Sequence, residues 1–181
     1  METSAKVDDL LPGFRAQAER AGSDVVLLAG WAEVAEHALW RADGERVVVA
    51  PSLAERAPGL VEALTSAEAP VMVAQEPGGV ADAAVGVVGG ELAVAETGGV
   101  VVAEHALADR VVSMLCRRLI LVVDRSALVG SLDDVAGWLS ARSGEAGFVS
   151  LMTGPSRTAD IERSLTIGVQ GPDAMDVVML G

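Results

Sequence analysis

Two stretches are unusual for their polar content between apolar strand-like runs, Ala95-Glu96-Thr97-Gly98-Gly99 and the segment from Thr153 to Glu162. In the first, the carboxylate of Glu96 and the hydroxyl of Thr97 stand beside two glycines, which let a backbone approach a ligand or turn with positive φ. The same residues suit a plain hairpin turn with an exposed glutamate. The second places Ser156, Arg157 and Thr158 after Gly154-Pro155, so hydroxyls, a guanidinium and backbone N–H groups could be offered to a carboxylate or phosphate. It also suits a helix start, with Thr158 as cap and Asp160 and Glu162 in the first turn, where the macrodipole favours negative charge. Both stretches follow strand-like runs, and open α/β sheets gather such loops at the carboxyl ends of their strands. The expectation is one shared pocket for a small anion.

Other reactive residues promise less. His37 and His105 each follow a glutamate but have no HxxxH spacing and no cysteine partner, so they read as solvated or capping residues and no metal site is expected. Cys116 has Arg117 and Arg118 beside it, which lower a thiol pKa, yet a lone cysteine among apolar residues reads as a small core side chain. No GxGxxG, GxxxxGK[ST] or GxSxG occurs, so the dinucleotide, nucleotide and serine-hydrolase signatures are missing.

The elements that must position these residues alternate between helical and strand-like periodicity, the mark of an α/β domain with a mostly parallel central sheet flanked by helices. Residues 8–21 are compatible with a helix that has Pro12 in its first turn, and 1–22 is read as an N-terminal helical segment. Trp31 to Arg41 has apolar residues at helical spacing, and Leu132 to Arg142 forms a helix capped by Ser131. Short runs apolar on both faces, 47–50 and above all 119–123, read as buried parallel strands. Further strands are expected at 71–74, 84–88, 92–95, 100–103, 149–152 and 177–180. No repeat or linker divides the chain, so 1–181 is read as a single domain.

Composition narrows the function. With 26 acidic and 13 basic residues the net charge is −13, and there is neither a basic stripe nor an aromatic platform, which argues against nucleic acid and anionic membranes. The longest apolar stretches are broken by charges, so no membrane insertion is expected. The start of the chain has Asp8 and Asp9 in place of a secretory pattern, and the single cysteine fits a reducing compartment, so the expected location is cytoplasmic. One Cys and two His cannot build a four-thiolate iron–sulfur cluster or a four-ligand zinc site.

Taken in order, Ala95-Glu96-Thr97-Gly98, the stretch from Gly154-Pro155-Ser156-Arg157-Thr158 through Ala159-Asp160-Ile161-Glu162, and Gly168-Val169-Gln170-Gly171-Pro172 resemble the LUD-domain family, within it the lactate utilization protein C (LutC, YkgG) group. The resemblance runs from about residue 84 to the C-terminus, and the nine residues from Gly154 to Glu162 are its specific part. It implies a fold like the NagB/RpiA/CoA-transferase superfamily and a non-redox role in oxidising L-lactate to pyruvate, beside partner proteins that carry the iron–sulfur clusters. This chain would itself bind no cofactor. On that reading Arg157 clamps the lactate carboxylate, with Thr97, Gly98, Ser156, Thr158 and Glu162 as ligand-binding residues, and Glu96 or Asp160 accepts the proton of the 2-hydroxyl. An independent enzyme of the CoA-transferase or sugar-phosphate type, or a structural interaction subunit, are the alternatives. Many members have a Leu-Pro segment followed by His-Ile where this chain reads Leu115-Cys116-Arg117-Arg118-Leu119-Ile120, and Gly-Val-His-Gly-Pro where it has Gln170, so no imidazole is available at either place.

Overall fold

The computed structural model describes the chain except residues 1, 68, 76, 82, 143–146, 160–164 and 168–170, and describes only the backbone at 2–6, 77, 157–159 and 165–167. In chain order the elements are α1 (Glu2–Ala21), β1 (Ser23–Leu28), α2 (Trp31–Ala42), β2 (Val47–Val49), α3 (Pro51–Arg56), α4 (Pro58–Ser66), β3 (Val71–Val73), β4 (Val85–Gly89), β5 (Leu92–Val94) and β6 (Gly99–Glu104). They continue as α5 (Leu107–Leu115), β7 (Arg118–Asp124), β8 (Leu128–Val129), α6 (Leu132–Ala141), β9 (Phe148–Met152), β10 (Arg157–Ala159), β11 (Leu165–Ile167) and β12 (Ala174–Leu180).

The central sheet has six strands in the order β1-β12-β7-β4-β2-β3, and every neighbouring pair is parallel. The two strands expected to be buried sit within it, with Val47, Val48, Val49, Ile120 and Leu121 fully buried. Parallel strands cannot be joined by tight turns, so helices must cover the faces, and residues apolar on both sides follow from that geometry. Helices α2 and α4 pack on one another, with α2 against β2 and β4, while α1 leans on β1, β6 and β8.

A second sheet, β8-β5-β6-β9, is mixed: β5 runs parallel to β8 and antiparallel to β6, and β6 is antiparallel to β9. Its inner residues Ala93, Val100 and Val102 belong to the same core cluster as Phe14, Leu60, Leu119 and Met179. Its other face, through Leu92, Val94 and Val101, packs on Val135 of α6.

Three local readings change. α1 begins at Glu2, which puts Pro12 inside the helix instead of in its first turn; a proline there forfeits one main-chain hydrogen bond, tolerated where packing holds both ends. Ser23–Leu28 is a strand and Leu107–Leu115 a helix, although neither shows in the residue pattern as such. β1 is an edge strand with mixed exposure, and the helical stripe of α5 is short and interrupted by Asp109 and Arg110.

Candidate functional site

The first polar stretch is the turn between β5 and β6. The N–H groups of Thr97 and Gly98 donate to the Val94 carbonyl at 3.3 and 2.8 Å, and the Gly99 N–H donates to Thr97 Oγ1 at 3.1 Å. Gly98 has φ +67°, and a Cβ there would lie 2.2 Å from the backbone nitrogen of Ala18, so this glycine seats the turn directly on α1. Glu96 turns toward α6. Its Oε2 accepts the N–H of Leu132 at 2.9 Å, beside Asp134, which accepts the N–H groups of Gly130 and Ser131. Two carboxylates thus satisfy donors at the positive end of one helix.

Pairing of β6 with β9, Val100 opposite Met152, brings the second polar stretch alongside the first. A Cβ on Gly99 would lie 2.7 Å from the methyl of Thr153. Gly154, with φ +143°, is pressed against the carbonyl of Ala21, and the N–H of Ser156 donates to the Pro172 carbonyl at 3.0 Å. Thr153, Gly154, Ser156, Gly171 and Pro172 border a cavity of about 320 Å³ whose remaining wall is rich in methionine and leucine. Arg157 and Thr158 lie in β10, paired antiparallel with β11, and Thr158 therefore does not cap a helix. Asp160, Glu162 and Gln170 lie outside the described residues. The backbones of the two stretches are neighbours, but at the amino ends of β1 and β12 instead of the carboxyl ends of the central sheet, because β6 and β9 belong to the small mixed sheet.

The carboxyl ends of the parallel strands enclose a separate crevice of about 160 Å³. Gly89 and Gly90 at the end of β4 form its floor, Trp31 and Leu53 wall it, and Arg56 of α3 and Asp124 at the end of β7 supply charge. A Cβ on Gly89 would lie 2.1 Å from an Nη of Arg56, so the glycine is what lets the guanidinium lie against the strand. Arg56 donates to Oε1 of Glu91 at 2.9 Å. Asp124 accepts from the N–H and hydroxyl of Ser126. Cavities of about 150 Å³ hold a ring of about six carbon atoms. Sequence reading missed this site; the signal was the Gly89-Gly90 pair closing an apolar run, the place where ligands of open α/β sheets bind.

Nearer the amino end of β12, Asp176 is fully buried and accepts from His37 Nε2 and Arg41 Nε, each at 2.7 Å, and from Arg118. Burial alone pushes its carboxyl up, but the His37 hydrogen bond and the charges of Arg118 and Arg41 outweigh that and hold it below the ordinary carboxylate range. His37 is therefore mostly buried and paired, where the sequence suggested a solvated or capping residue. Cys116 is buried against Gly86, and burial pushes its thiol up to about 12, as suits a core side chain.

The LUD domain profile matches residues 12–180. The chain belongs to the LUD-domain family. Over 91 residues this LUD domain is 34% identical to lactate utilization protein C of Shouchella clausii, a match covering 49% of this chain and 40% of that protein. Over 92 residues it is 35% identical to lactate utilization protein C of Halalkalibacterium halodurans, again 49% and 40%. The match spans only about two fifths of these relatives' length. In fold, it superposes on a DUF162 family protein from Deinococcus radiodurans with TM-score 0.70 over 97% of this chain and 98% of that one, at 18% identity.

Among the described residues no group of three or more His, Cys, Asp or Glu side chains is placed to hold a metal ion, and no helix is long and apolar enough to cross a membrane.

Proposed function

We propose that this LUD domain is a lactate-utilization component that binds a small 2-hydroxy acid, lactate foremost, in the carboxyl-edge crevice and works beside partner proteins that carry iron–sulfur clusters. The likeness to lactate utilization protein C carries the reading. In the crevice the Arg56 guanidinium takes the carboxylate of the acid as a charge-assisted pair, exchanging it for Glu91. Trp31 and Leu53 exclude water from the methyl side. Glu91, released from Arg56, is then free to accept the 2-hydroxyl proton through Oε1. Oxidation to the 2-oxo acid also breaks the C2–H bond as the C2=O bond forms, releasing that hydrogen as a second proton together with the electron pair. With one cysteine, and that buried, the chain cannot build a four-thiolate cluster alone, so the pair passes to a partner.

A second placement has its own support: Ser156, Gly154, Gly171 and Pro172, all from the stretches that carry the family resemblance, border the larger cavity next to the start of β10. There Arg157 would be the clamp and the Ser156 hydroxyl a second donor, while Glu96 stays committed to the start of α6.

Calorimetric titration of lactate, pyruvate and phosphate separates the two. Arg56→Ala is expected to weaken lactate binding by about 2 kcal/mol, the worth of a hydrogen bond to a charged group. Gly89→Ala should weaken it as well, by pushing the guanidinium aside. Weakening confined to Arg157→Ala moves the site to the larger cavity, and phosphate binding more tightly than either acid rejects the carboxylate reading.

A further inference from the structure

Among the described residues, ten large apolar side chains are exposed, and eight of them lie on α5, α6 and β9. β9 is the outer strand of the small sheet, and Phe148, Val149 and Leu151 are 46%, 40% and 38% exposed. A strand at a sheet edge presents unpaired backbone groups, and natural proteins blunt such edges with charge, proline or a cover. Here residues 147–154 hold neither a charged residue nor a proline.

We infer that β9 is the seam of a two-fold dimer, in which two copies of this chain pair β9 antiparallel about Ser150 and merge their small sheets into one. The strand Phe148-Val149-Ser150-Leu151-Met152 is self-complementary under that operation. Ser150 faces its own copy, Val149 faces Leu151 of the second copy, and Phe148 faces Met152, so apolar side chains meet apolar ones on both faces. The Ser150 hydroxyl is buried and has no hydrogen-bond partner among the described residues. Residues directly opposite in an antiparallel pair have Cβ atoms about 4.5–5.5 Å apart, within reach of a hydroxyl–hydroxyl bond.

The flanks agree. Ser113 and Met114 of α5 border a cavity together with Leu151 and Met152, and Trp138 and Leu139 of α6 border another with Val149. A pairing strand would have a groove on each side for its alternating side chains. Exposed Met114 and Leu115 on one face and Leu139 on the other would meet their counterparts across the axis.

The strand itself places no charge against a second copy. The chain carries −13, yet the strand is neutral, and the cations stacked beside it are Arg110 over Phe148 and Arg142 over Trp138.

Light scattering of the full chain at tens of micromolar should read twice 18.5 kDa. Leu151→Glu and Phe148→Lys, both at exposed positions, should each halve that mass with unchanged circular dichroism. A Val149→Cys/Leu151→Cys variant should oxidise to a covalent dimer, because those positions face one another only in the antiparallel register about Ser150. A monomeric wild type, a dimer indifferent to both charges, or equal cross-linking through Leu27→Cys on β1 would overturn the inference. So would a wild type whose β9 pairs only with a strand of another protein.

Discussion

Asp176 is the only charged side chain in β12, and it survives there because three donors from distant parts of the chain converge on it. Removing one partner of a buried charge network leaves the others uncompensated. Asp176→Asn is therefore expected to cost about 3 kcal/mol of stability at neutral pH, measured by denaturant unfolding. The pH dependence has a definite sign. The folded carboxyl titrates below its unfolded value of about 3.9, so its contribution is full above that pH and disappears as pH falls through the folded value. The gap between wild type and Asp176→Asn should accordingly narrow as the pH drops from about 5 toward 3. A gap that stays constant would mean that the carboxyl is not held ionised by its neighbours. The apolar run around Asp176 was a readable hint, since a lone acid among valines and methionines must find a partner, but nothing local identifies His37, Arg41 or Arg118 as that partner.

At the scale of elements, the Glu96-Thr97-Gly98 turn shows how one stretch can serve several contacts. Its glycine lies on α1, its carboxylate on α6, and its strand leads into the pairing with β9. Gly98→Ala puts a Cβ against helix backbone at positive φ, where neither neighbour can yield cheaply. It is expected to destabilise the protein by about 2 kcal/mol or more, read as a lowered melting temperature. Gly89→Ala, facing the far end of Arg56 and, at ordinary contact distance, a methyl of Leu53, should leave stability nearly unchanged. Equal losses at the two glycines would contradict this assignment. The hairpin itself was legible in Thr97-Gly98-Gly99. The strand at β10 was not, because Thr158-Ala159-Asp160 carries a helix-start pattern that pairing with β11 overrides.

Over the whole molecule, 26 acidic side chains against 13 basic ones make self-repulsion a property of the folded state. The exposed ion pairs, such as Arg117 with Glu45 and Arg125 with Asp8, contribute about 0–1 kcal/mol each and weaken with salt. Repulsion among the surplus acids weakens as well, and it outnumbers them. Raising salt from about 0.01 to 0.15 M shortens the screening length from about 30 to about 8 Å. The melting temperature should rise by about 3 °C, equivalent to about 1 kcal/mol for a chain of this size. A fall in calorimetric melting temperature would show that the ion pairs dominate.

By itself the sequence determined the fold class, the buried character of β2 and β7, the cap at Ser131 and the family, because periodicity and short motifs are local and record which faces are apolar. Only the tertiary structure decided which strands are neighbours and that a second sheet draws the two polar stretches to the amino ends of β1 and β12. It also placed Arg56 across Gly89, and it joined Asp176 to a histidine 139 residues away. Those are pairings between segments far apart in the chain, and an apolar strand carries almost no local information about its partner, since any other apolar strand satisfies the same burial.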